Sequence, residues 1–85
     1  MANHEARNFV VYSTPLCSPC DGLKTYLTNN SVKFSTKDLM MDEDAAELIE
    51  SKGIRSTPVL QIDDAFYFGA DLQKERLDKI LNLQN

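Results

Sequence analysis

Apolar positions along the chain come in short runs and spaced stripes that divide it into seven elements. Phe9-Val10-Val11-Tyr12 is a β-branched and aromatic run that reads as a buried strand, followed by the turn Ser13-Thr14-Pro15-Leu16. Leu23, Tyr26 and Leu27 then recur at i, i+3 and i+4, one apolar helix face. This predicts a helix from about Ser18 to Thr28, ended by Asn29-Asn30-Ser31. Val32, Phe34 and Thr36 alternate with Lys33 and Ser35, which predicts a second strand with one buried face. A second helix starts near Asp42. Asp42, Glu43 and Asp44 crowd its first turn, where the positive helix end favours acidic side chains, and Asp44 with Glu47 has capping-box spacing. Its apolar stripe is Ala45, Leu48 and Ile49, and Lys52-Gly53 reads as its stop.

Beyond Arg55-Ser56-Thr57-Pro58, the runs Val59-Leu60-Gln61-Ile62 and Ala65-Phe66-Tyr67-Phe68 flank Asp63-Asp64, which predicts a hairpin. Gly69 breaks the second of these strands. Asp71 is placed to cap a third helix whose apolar face is Leu77, Ile80 and Leu81. Met1 to Asn8 is a polar leader, expected to be frayed, with His4 a solvated residue within it. The order is βαβαββα. Strands one and two, joined through a helix, are expected to be parallel with a right-handed crossover, and strands three and four antiparallel. The pattern predicts an α/β fold: a four-stranded mixed sheet with three helices on both faces.

Composition narrows the class without changing that picture. Eighty-five residues make one domain, residues 1–85, of a size that buries roughly 60 to 65% of its unfolded surface. Nine basic against thirteen acidic residues leave a net charge of −4, which disfavours nucleic acid or an anionic membrane as partner. No apolar run approaches the length of a membrane span and no signal-peptide pattern is present, so a soluble, cytoplasmic chain is expected, and separately a monomer. There are no internal repeats or linkers.

Both cysteines fall in Cys17-Ser18-Pro19-Cys20, between the first strand and the first helix. A C-x-x-C is open to three readings: a redox dithiol, half of a zinc site, or two unrelated thiols. In a reducing cytosol it is a poor structural staple, and with only His4 elsewhere one chain cannot complete a tetrahedral zinc site. The strand-to-helix junction puts the pair where a thiol is chemically altered. A free thiol with a pKa near ~8.5 is only slightly ionised at neutral pH. The positive end of a helix lowers that value by about one unit, and any larger depression needs other groups. The Cys20 thiol, one turn on, is such a group; Lys24 is a more distant one, and Asp21 works in the opposite direction. Cys17, opening the helix, is expected to be the exposed nucleophile and Cys20 the shielded resolving thiol. Pro19 is tolerated in the first turn because its missing N–H has no helical partner there.

Three motifs in order carry a family resemblance: Tyr12-Ser13-Thr14-Pro15-Leu16-Cys17-Ser18-Pro19-Cys20, Arg55-Ser56-Thr57-Pro58-Val59 and Gly69-Ala70-Asp71-Leu72. Over about residues 9–83 the chain resembles the glutaredoxin branch of the thioredoxin-like superfamily, including the NrdH-type redoxins. The resemblance implies a thioredoxin-like fold and a dithiol–disulfide oxidoreductase acting through Cys17 and Cys20. It also implies a cis Thr57–Pro58 bond facing Cys17, where the residues alone read as an ordinary strand-initiating proline. Tyr12, Arg55, Thr57, Pro58, Gly69, Ala70 and Asp71 would line a substrate or glutathione site, with Arg55 at the glycyl carboxylate and Gly69-Ala70-Asp71 at the γ-glutamyl end.

No tightly bound cofactor is implied. Glutathione is the expected co-substrate and reductant, with thioredoxin reductase as the alternative and a ribonucleotide reductase among the disulfide-containing protein substrates. A reading of another class is an iron–sulfur cluster bridged by Cys17 of two chains with two glutathiones. The chain departs from the usual glutaredoxin pattern at Ser18-Pro19 in place of Pro-Tyr, at Thr14 in place of a lysine, and at Gly69-Ala70 in place of Gly-Gly.

Overall fold

The run Phe9–Tyr12 extends by one residue into β1 (Phe9–Ser13) in the computed structural model, which describes residues 7–81. This strand is central. It pairs in parallel with β2 (Ser35–Asp38) on one side and antiparallel with β3 (Val59–Ile62) on the other, and β3 pairs antiparallel with β4 (Ala65–Phe68). The sheet order is β2-β1-β3-β4. Antiparallel pairs can be joined by a two-residue loop, whereas a parallel pair needs a crossover, here α1 (Ser18–Asn29). The helices α2 (Glu43–Ser51) and α3 (Lys74–Leu81) complete the α/β architecture expected for a thioredoxin-like fold.

Alternation along β1 and β3 sends side chains to two cores. Phe9, Val11, Leu60 and Ile62 pack with Leu23 and Leu27 of α1 and Leu77 and Leu81 of α3 on one face. Tyr12 and Val59 pack with Ala45 and Ile49 of α2 and with Ile54 on the other. The β-branched and aromatic composition of β1 follows from this position: a central strand is covered on both sides.

Both long-range crossings are set by matched helix ends. At the end of α2, Gly53 takes φ +74° and donates to Glu50 O (2.9 Å), while Ile54 N reaches Ile49 O (3.2 Å). Ile54 and Ile49 then meet in the core, the apolar contact that accompanies this Schellman arrangement. The end of α1 repeats it: Ser31 at φ +61° donates to Thr28 O (3.0 Å), and Val32 N reaches Leu27 O (2.9 Å).

That second cap corrects the expected strand from Val32 to Thr36. Val32 is apolar because it closes the helix end onto Leu27, and Phe34 packs beside it. The paired strand starts only at Ser35, and as an edge strand its first three residues are exposed. The expected Asp44–Glu47 capping box also gives way: Asp42 is the N-cap, accepting from Ala45 N at 3.0 Å. Asp71 does not cap the third helix as expected. Gly69–Leu72 is a single 3₁₀ turn, Gln73 is extended (φ −71°, ψ 152°), and α3 starts at Lys74. Of the expected frayed leader, His4 and its neighbours lie outside the described residues. Asn8 is instead pinned to the β3–β4 turn, donating to Asp63 Oδ1 (3.0 Å) and accepting from Asp63 N (2.9 Å). Among the described residues no helix is long and apolar enough to cross a membrane.

Candidate active site

Cys17 is the N-cap of α1, in extended backbone (φ −117°, ψ 98°), and its Sγ accepts a hydrogen bond from Cys20 N at 3.2 Å. Two local features of the sequence explain this placement. Pro15 and Leu16 turn the chain at the end of β1, with Leu16 at φ +57°, and Pro19 inside the first helical turn removes an N–H that has no partner there. Cys17 and Cys20 are joined as a disulfide with a Cα–Cα distance of 5.2 Å. Cys20 is 1% exposed beneath the helix, whereas Cys17 is half-buried at the rim.

The Thr57–Pro58 peptide bond is cis. Pro58 is buried at the entry to β3, and the Thr57 hydroxyl lies 3.7 Å from Cys17 Sγ. Thr14, at the end of β1, places its own hydroxyl 3.3 Å from that of Thr57. The polar neighbours of Cys17 Sγ are therefore one amide and one hydroxyl. Two cavities flank this point. One, of about 460 Å³, lies between α1 and the 3₁₀ turn with α3, lined by Pro19, Leu23, Tyr26, Pro58, Gly69 and Leu72 among others. The other, of about 260 Å³, lies over α2 and is lined by residues including Thr14, Ile54 and Arg55. Ser56 and Thr57 belong to both.

The structure thus gathers Cys17, Cys20, Thr57 and Pro58 at one point, with Arg55 to one side and Gly69 to the other. Ala70 is exposed on the 3₁₀ turn. Asp71 is half-buried inside the 3₁₀ turn, ahead of the Lys74 start of α3, so it caps no helix, and its carboxylate lies 3.3 Å from Arg76. Tyr12 lies under the site, not in it. It is 3% exposed, its hydroxyl donates to Gln61 Oε1, and burial together with the charge of Asp42 pushes its pKa up. Along the sequence Thr14 stands out only as the loss of a lysine. Its pairing with Thr57 spans 43 positions and left no local signal. Leu16, fully exposed beside the nucleophile, reads from the sequence as part of a turn, although leucine is not a usual turn residue.

A sulfur held at the rim by a helix amide, with its partner sulfur sealed one turn inside, can be attacked only from one side. Fold and site together define a thiol–disulfide oxidoreductase of thioredoxin-like architecture. The glutaredoxin family model matches residues 9–67, and the chain belongs to that family. Among solved structures it is similar to the thioredoxin-like protein BC3987, at 31% identity and TM-score 0.75 over 86% of this chain and 99% of that one. It is similar to glutaredoxin 1 from Francisella tularensis in complex with cacodylate, at 25% identity and TM-score 0.70 over 91% and 99% of the two chains. NrdH-redoxin from Escherichia coli shares the fold at 20% identity and TM-score 0.72, over 92% and 95%. No curated protein sequence matches the chain.

Proposed function

We propose that the chain reduces disulfides in protein substrates and is itself reduced by glutathione. The observation behind this reading is the position of Thr57, which borders both cavities beside Cys17. A tripeptide thiol lying across it would have one end toward Arg55 and the other toward Gly69. The Cys17 thiolate attacks a substrate disulfide, one substrate sulfur leaves and takes a proton, and a mixed disulfide forms. Cys20 then gives up its proton, attacks Cys17 Sγ and releases the second substrate thiol. One glutathione thiolate reopens the Cys17–Cys20 bond and a second removes the first as oxidised glutathione. A ribonucleotide reductase is a fitting substrate in this scheme, since its turnover leaves a cysteine pair oxidised.

A second reductant, thioredoxin reductase, is favoured by a different observation. The segment that would receive the γ-glutamyl end is a 3₁₀ turn, and one carboxylate oxygen of its Asp71 is paired with Arg76. NADPH consumption with a disulfide substrate, coupled either to glutathione with glutathione reductase or to thioredoxin reductase, separates the two. Turnover in the glutathione couple alone is expected. Turnover only with thioredoxin reductase would replace the glutathione assignment, and turnover in neither would remove both.

A further inference from the structure

We propose that Thr14 is a positioning residue for the redox reaction, holding the Thr57 hydroxyl so that it donates to the Cys17 thiolate. The contacts are Thr14 Oγ1 to Thr57 Oγ1 at 3.3 Å and Thr57 Oγ1 to Cys17 Sγ at 3.7 Å. In isolation either hydroxyl of the first pair can be the donor, whereas Cys17 Sγ, a disulfide sulfur without a proton, can only accept. The chemistry of one end removes that freedom.

A hydroxyl carries one donor and two acceptor sites. Reduction breaks the Cys17–Cys20 bond and adds two electrons, and when Cys17 ionises its sulfur can only accept. Thr57 must then spend its single O–H on the sulfur. Its oxygen is left as an acceptor toward Thr14, so Thr14 must donate to Thr57. The direction of the whole chain is set by the thiolate: Thr14 to Thr57 to Cys17. No proton moves along it. A hydroxyl that accepts a hydrogen bond is polarised into a better donor, so Thr14 strengthens a contact it does not itself make.

This relay joins the helix as the second means of holding the anion. Cys17 Sγ already accepts from Cys20 N, at 3.2 Å, at the positive end of α1. Neither of its polar neighbours is a cation. Asp21 in the first turn of α1 is itself negative, which makes a neutral donor from outside the helix the more consequential. Both threonines are half-buried, where such a bond is less diluted by water than at the surface.

The test is the ionisation midpoint of Cys17, followed by ultraviolet thiolate absorbance and by alkylation across pH. The reduced chain is used in a Cys20→Ser background, so that one thiol titrates. Thr57→Val is expected to raise the midpoint by about one unit, the size of one hydrogen bond to a charged group, and Thr14→Val by about half as much. Thr14→Ser, which keeps the hydroxyl, is expected to restore it. In the Thr57→Val background, Thr14→Val is expected to add nothing, because the link it works through is gone. Where valine is not accommodated at position 14, Thr14→Ala reads the same midpoint. An unchanged midpoint in the Thr14 variants, or full additivity in the double variant, would overturn the proposal. The measurement needs no reductase and no substrate, so it stands apart from the assignment of glutathione.

Discussion

The heads of α1 and α2 are built alike and do different work. Their N-cap residues share nearly the same backbone, φ −117° and ψ 98° at Cys17, φ −114° and ψ 101° at Asp42. In each, the side chain accepts from the amide three residues on, at 3.2 Å by sulfur and 3.0 Å by carboxylate. Each satisfies one of the amides that a helix start leaves without a partner. The difference lies in the capping atom. A carboxylate at Asp42 is an ordinary cap, and its task is to hold the helix. A sulfur at Cys17 becomes an anion only on reduction and ionisation, so the same local device turns a structural contact into one that favours a reactive state. The lesson is that an N-cap becomes chemically active when its acceptor is a nucleophile and its neighbourhood is open, as the rim beside Thr57 is.

The largest effect expected from this comparison is at Cys17. Serine is among the best N-caps, so Cys17→Ser should keep α1 and lose disulfide reduction altogether. Residual turnover in that variant would show that the reactive sulfur is elsewhere. Cys20→Ser should instead leave the first step intact and accumulate a mixed disulfide with substrate, seen by mass spectrometry. Accumulation in Cys17→Ser in place of Cys20→Ser would reverse the assignment of the two thiols.

The complementary change at the other cap is smaller and of another kind. Asp42→Ala should lower stability by about 1 kcal/mol in urea unfolding, the usual cost of losing an N-cap, and Asp42→Ser should recover most of it. Neither should move the ionisation midpoint of Cys17. A shift there would mean that the two helix heads communicate and that the comparison is not one of independent sites.

The smallest effect lies away from both caps, where α3 is fastened to α1. The Tyr26 hydroxyl donates to Asp78 Oδ1, and Lys74 reaches the other carboxylate oxygen at 3.1 Å. The Tyr26 bond first, and Lys74 after it, hold Asp78 below the usual carboxylate range. Burial first, and Asp78 after it, push Tyr26 well above the usual phenol range. A lowered carboxylate adds stability that is present above its unfolded value and is lost as pH falls through its folded value. A raised phenol adds stability that is present below its unfolded value and is lost as pH rises through its folded one. The difference in melting temperature between the native chain and Tyr26→Phe should therefore be constant between roughly pH 5 and pH 9. It should narrow in acid. A gap that ignores pH would detach Tyr26 from Asp78.

Much of this arrangement was legible along the chain because it rests on contacts between near neighbours. The run Phe9–Tyr12, the stripe Leu23, Tyr26 and Leu27, the Lys52-Gly53 stop and the Asp63-Asp64 turn each depend on residues within one or two turns of one another. Cys17 at a strand-to-helix junction is of the same kind, and so is the Cys17–Cys20 spacing. Where two local devices share one pattern, the pattern does not tell them apart. Val32 and Phe34 look like the buried face of a strand, yet Val32 is the apolar residue that closes a helix end. Asp44 and Glu47 have the spacing of a capping box, yet Asp42 begins the helix two residues earlier.

What the sequence by itself determined was the order of elements, the two faces of the sheet and the pair of thiols, with the family resemblance that those motifs carry. Only the tertiary structure decided what surrounds Cys17. Thr57 is 40 positions away and Thr14 touches Thr57 across 43, because the parallel and antiparallel partners of β1 bring the loops at one end of the sheet together. The same packing put Tyr12 beneath the site and left Asp71 to Arg76. Periodicity reports which face of an element is covered. It carries no information on which hydroxyl, from which distant loop, meets the sulfur, since that depends on how strands pair and not on the residues beside it.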